Sequence, residues 1–79
     1  MQLVKVTWID ADHSNGWIAE DDIDRFEKEE PSYAYGLLVS KTKKFVLLSH
    51  EKSGSHWLGI FRIPIGMIRK IEVIQEVGE

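Results

Sequence analysis

The stretch that decides the fold is Trp57-Leu58-Gly59-Ile60-Phe61-Arg62-Ile63-Pro64-Ile65-Gly66-Met67-Ile68-Arg69-Lys70-Ile71-Glu72-Val73-Ile74. From residue 57 to 63 the pattern alternates. Trp57, Gly59, Phe61 and Ile63 fall on one face, Leu58, Ile60 and Arg62 on the other. Aromatic and β-branched side chains suit a pleated surface. Pro64 has no N–H for a ladder, so the strand should stop there. Ile65-Gly66-Met67 has room for one 3₁₀ turn and no more. A further strand over residues 68–76 should follow. Ile65, Ile68, Ile71 and Ile74 also recur at a near-helical spacing. Gly66 and the β-branched Val73, Ile74 and Val77 weigh against that helix.

Upstream, residues 2–9 alternate as well, with Val4, Val6 and Trp8 on one face, Lys5 and Thr7 on the other, and Leu3 and Ile9 at the ends, which predicts the first strand. Asp10 to Gly16 is turn chemistry. Ala19, Ile23 and Phe26 then share one helical face, with acids in the first turn and Pro31 beyond the end. The pattern predicts a short amphipathic helix over residues 19–29, with Asp21 or Asp22 at its N-cap. Tyr33 to Ser40 and Lys44 to His50 read as the next two strands. Their turns are Lys41-Thr42-Lys43 and Glu51 to Gly54. Val46, Leu47 and Leu48 are apolar in succession, as expected of a strand buried on both faces.

The whole chain, residues 1–79, is thus expected to be one mainly β domain. The expected form is a small five-stranded SH3-like or Sm-like barrel with a short helix inserted after strand 1. With no cysteine, neither a disulfide nor a thiolate metal site can stabilise so small a core. Apolar packing and self-association remain. No membrane span and no signal-peptide pattern are read, so a soluble, cytoplasmic protein is expected. The net charge of −3 hides an asymmetry, because residues 10–30 hold nine of the thirteen acids and two of the ten bases. One acidic and one basic surface are expected.

The motifs Val6-x-Trp8-x-Asp10, Ser14-x-Gly16-Trp17 before an acidic segment, Tyr35-Gly36-Leu37-Leu38-Val39, and Ile63-Pro64 with Ile68 and Ile71 span most of the chain. In these the chain resembles a family of small uncharacterised proteins encoded by phages and prophages. It departs from that pattern at Ala11, where the family has Ser. The resemblance implies an accessory role during infection, in the cytoplasm of the host cell, as an inhibitor of a host enzyme or of anti-phage defence.

No catalytic signature stands out. Ser14, Ser49 and Ser53 lack a nucleophile-elbow context. His13, His50 and His56 lack metal-ligand spacing, so neither metal nor cofactor is expected. The default role of Trp8, Trp17 and Trp57 is packing. The functional alternative stacks a planar ligand on Trp17, with Trp8 and Asp10 beside it and Arg62 and Arg69 clamping a phosphate at a subunit interface. Sequestration of an anionic, nucleotide-type ligand in a homo-oligomer is one reading. Another is a protein-contact inhibitor working through Asp21, Asp22, Ile23 and Phe26, and a third is a structural phage barrel. General nucleic-acid binding is disfavoured by the acidic balance.

Overall fold

The computed structural model describes residues 1–9, 16–24 and 30–78. Five antiparallel strands form one sheet: β1 (Gln2–Trp8), β2 (Ser32–Lys41), β3 (Phe45–Ser53), β4 (His56–Pro64) and β5 (Ile68–Glu76). Their order across the sheet is β4-β3-β2-β1-β5. The 3₁₀ turn Ile65–Met67 follows Pro64 as its spacing predicts, and β5 is extended rather than helical. The β3–β4 turn sits later than expected, since Ser53 still pairs with His56. The expected helix after β1 is corrected to the 3₁₀ turn Glu20–Asp22 in the described part of that connection, its N-cap being Ala19 with no side-chain bond. Residues 25–29, with Phe26, and residues 10–15, with Asp10 and Ala11, lie outside the described residues.

The sheet forks within β2. Residues Ser32 to Leu37 pair with β1, whereas pairing with β3 begins only at Leu37–Ser49 and continues to Lys41–Val46. Both strands run on past the point where they part. One half of the molecule is therefore β5, β1 and the first part of β2; the other is the second part of β2 with β3 and β4.

The halves curl onto each other. Val4 and Val6 from the first half meet Val46, Leu48 and Ile63 from the second, and all five are fully buried. Trp8, Ala34, Leu38, Ile65, Ile68 and Ile71 pack around them. The Trp8 and Phe61 rings lie 5.8 Å apart, edge to face. Two strands separate β1 from β4, so a flat sheet would hold those residues about 14 Å apart. Two backbone bonds fasten the curl at the 3₁₀ turn: Ile65 N–H donates to Lys44 O at 2.9 Å, and Ile9 N–H to Met67 O at 2.8 Å.

Gly36 sits at the parting point for a steric reason. A Cβ there would stand 3.0 Å from Ser49 O and 3.2 Å from Leu48 Cβ, which is tighter than a strand backbone yields. On the exposed surface Lys70 and Glu72 pair at 2.6 Å. Their hydrogen bond, and then the charge attraction, holds the lysine above and the carboxyl below its ordinary range. The contribution is present above the unfolded-state carboxylate pKa and below that of lysine. It is lost as pH falls through the lowered Glu72 value or rises through the raised Lys70 value. Lys70 is exposed and Glu72 is partly exposed, so solvent screens the pair and its contribution is small.

Truncation in the fully buried cluster should be costly. Leu48→Ala is expected to lower stability by about 2–5 kcal/mol in urea unfolding, through lost burial plus a cavity. Val73→Ala, on the exposed edge of β5, should change it by less than about 1 kcal/mol in the same assay.

Candidate functional site

Where β2 and β3 part, a cleft of about 260 Å³ opens. Tyr33, Ala34 and Tyr35 line it from β2, Leu48, Ser49 and His50 from β3, and Gly59 and Phe61 from β4. This is the fork itself, so the backbone of β2 over residues 32–36 has a neighbour on its β1 side and none from β3. Unpaired strand groups beside aromatic walls can both hydrogen-bond and stack a ligand.

The walls follow from strand alternation. Ala34 turns toward the core, which leaves Tyr33 and Tyr35 on the outer face, more than half exposed. Across the ladder Lys5 pairs with Tyr35 and Thr7 with Tyr33. The Lys5 ammonium stands 4.7 Å from the Tyr33 ring centre and 5.9 Å from that of Tyr35, a cation–π contact with both. Glu72 pairs with Lys5 on the other side, and Lys5 adds to the lowering of the Glu72 carboxyl.

The opposite wall depends on Gly59. Its φ of +67° is in the left-handed region, and no ladder partner is formed between it and His50 although flanking pairs keep their register. The imidazole of His50 fills the space where a Cβ would be, its Cδ2 lying 2.3 Å from that position. Ser49, buried at its hydroxyl, repairs the local ladder. Its Oγ lies 2.7 Å from Leu58 O and 2.9 Å from Glu51 O, and accepts from Glu51 N–H at 3.3 Å. Ser49 is thereby committed to structure. Lys52 leans over the Trp57 ring at 5.1 Å, one alternation beyond His50.

The expected site residues scatter. Trp8 borders the cleft only through Phe61 and otherwise packs on the core. Trp17 is fully exposed and lines no part of the cleft. The Arg62 guanidinium is turned over the Phe45 ring at 4.8 Å, and Arg69 donates to Gly66 O at 3.4 Å. Asp21, Asp22 and Ile23 are exposed on the 3₁₀ turn and its cap. Tyr33, Tyr35, Lys5, His50 and Phe61 are the residues that sequence reasoning passed over. The available signal was a pair of tyrosines alternating on the polar face, opposite a lysine.

Among the described residues no group of three His, Cys, Asp or Glu side chains is placed to hold a metal ion. No described helix is long and apolar enough to cross a membrane. No protein-family profile matches the chain, and no curated protein or solved structure does either.

Gly59→Ala should destabilise the chain by about 1–2 kcal/mol, the cost of a left-handed backbone with a Cβ. It should also drive His50 off its seat. Chemical denaturation and the His50 imidazole NMR resonances are the measurements, and an unmoved imidazole would contradict the packing described.

Proposed function

We infer that the chain is a non-enzymatic binding protein that sequesters an anionic, nucleotide-type small molecule in the fork cleft. On this reading the curled sheet is an SH3-like or Sm-like barrel, a comparison supported by its strand order and by the 3₁₀ turn ahead of β5. The observation that carries the ligand class is the aromatic lining: Tyr33, Tyr35 and Phe61 around an open strand edge, with Lys5 against the tyrosines. Aromatic faces bind planar rings of any sequence, and the unpaired edge offers N–H and C=O groups to a base. The volume lies just under the range of about 300–1,000 Å³ for drug-sized pockets, so one ring system fits and its phosphate projects outward. Lys5, held against both tyrosine rings, supplies positive charge beside the cleft. The likeness to phage-encoded proteins gives the act a setting: removal of a nucleotide signal of host defence by a homo-oligomer in the infected cell.

Calorimetric titration with a panel of mononucleotides and cyclic dinucleotides tests this. One member should bind, and Tyr35→Ala should weaken it by about 5- to 150-fold, the value of one stacked base. Absence of heat with every member of the panel would end the reading.

A second reading rests on a separate observation. Trp17 is fully exposed, and Asp21, Asp22 and Ile23, a few residues further along the chain, are exposed too, a combination that fits a basic groove on a host protein. Reversing Asp21 and Asp22 to Lys should then abolish binding to that protein in a pull-down while leaving nucleotide titration unchanged.

A further inference from the structure

The two edges of the sheet are unlike. β5 is guarded in the ways that keep strand edges from pairing. It carries Arg69, Lys70, Glu72 and Glu76, and register shifts against β1 at Leu3/Val4 and Thr7/Trp8 leave Ile74 and Arg69 bulged. β4 has the same length, nine residues, and less of that protection, its one backbone irregularity being the left-handed Gly59. Its single charged side chain is Arg62, its proline is the last residue, and Leu58, Ile60 and Phe61 are 63%, 51% and 42% exposed.

The chain also leaves too much of itself in water. Its surface is 6290 Å², against about 4,900 Å² expected for a compact monomer of its mass. Its radius of gyration is 16.2 Å, against about 11.6 Å for a compact chain of this length. A standard interface removes about 600–1,000 Å² from each partner, so a dimer contact of that size would cover much of the surplus.

We propose that a second copy of this chain pairs with β4, edge to edge and antiparallel, giving a two-fold dimer with one continuous sheet. The occupant is a second copy because the edge is self-compatible. With one charge per strand, every antiparallel register except that centred on Arg62 keeps the two guanidinium groups from facing each other. A β4-to-β5 contact would instead set Leu58 and Ile60 against the charged, twice-bulged edge. The dimer rests on the homo-oligomeric part of the reading above and not on the identity of the ligand. Because Gly59 and Phe61 belong to both the edge and the cleft, each copy then borders its partner's site.

Light scattering on the purified full chain, with far-UV circular dichroism to verify folding, separates the cases. Wild type should have twice the chain mass. Ile60→Lys and, independently, Leu58→Lys should halve it, both positions being exposed in the single chain. Val73→Lys on β5 should leave the dimer intact. A monomeric wild type would end the homo-oligomeric reading itself. An oligomer that survives both β4 variants, one that Val73→Lys dissolves, or an assembly larger than a dimer would overturn the β4 interface alone.

Discussion

The fold depends on one constraint: β2 must serve two half-sheets that face different directions. Its first residues belong to β1 and its last to β3, with Leu37 alone held by both. A strand can make that change only where the backbones come close, and Gly36 is where they do. The consequence is a core between the halves rather than beneath one sheet. Val4 and Val6 would otherwise lie on a flat surface strands away from Ile63, yet all three are in one buried cluster. The same parting that builds the core opens the cleft, so stability and the candidate site share a single cause.

Much of the scaffold was legible because it is written in local chemistry. Pro64 cannot donate to a ladder, and β4 stops there; three residues are too few for an α-helix, and a 3₁₀ turn forms. Val4 and Val6 alternate with polar residues, and both are buried. Val46 and Leu48 are buried as their apolar run predicts, whereas Leu47 is only partly covered. Residues 68–76 had a helical stripe of isoleucines, but bulges at Arg69 and Ile74 explain how a strand can carry that spacing. Each bulge adds a residue and resets which side chains face inward.

The site was not legible for the opposite reason. It is made by residues from three strands whose juxtaposition depends on where β2 and β3 part, and no local pattern encodes that. Tryptophans drew attention because they are large, yet Trp8 spends its surface on the core and on Phe61. Tyr33 and Tyr35 have the pattern of ordinary strand residues, and only the strand pairing sets Lys5 against their rings. Gly59 read as one more residue in an alternating face, whereas its left-handed backbone lets His50 settle into the cleft wall.

The thin core has the same origin. Two half-sheets that meet along one line can bury only the residues near that line, and among the described residues five apolar side chains are fully enclosed. The arms extend beyond it, giving a molecule 53 Å long and 21 Å across. Leu58 and Ile60 on one arm and Val73 and Ile74 on the other lie past the reach of the core, and their exposure follows from geometry. What differs is the treatment of the two arms. Charges and bulges accompany the apolar residues of β5, whereas those of β4 stand on an almost uncharged edge. Water tolerates scattered apolar side chains on a guarded strand far better than a contiguous row beside open hydrogen-bonding groups. The asymmetry therefore makes β4 the edge along which the chain gains most by finding a partner.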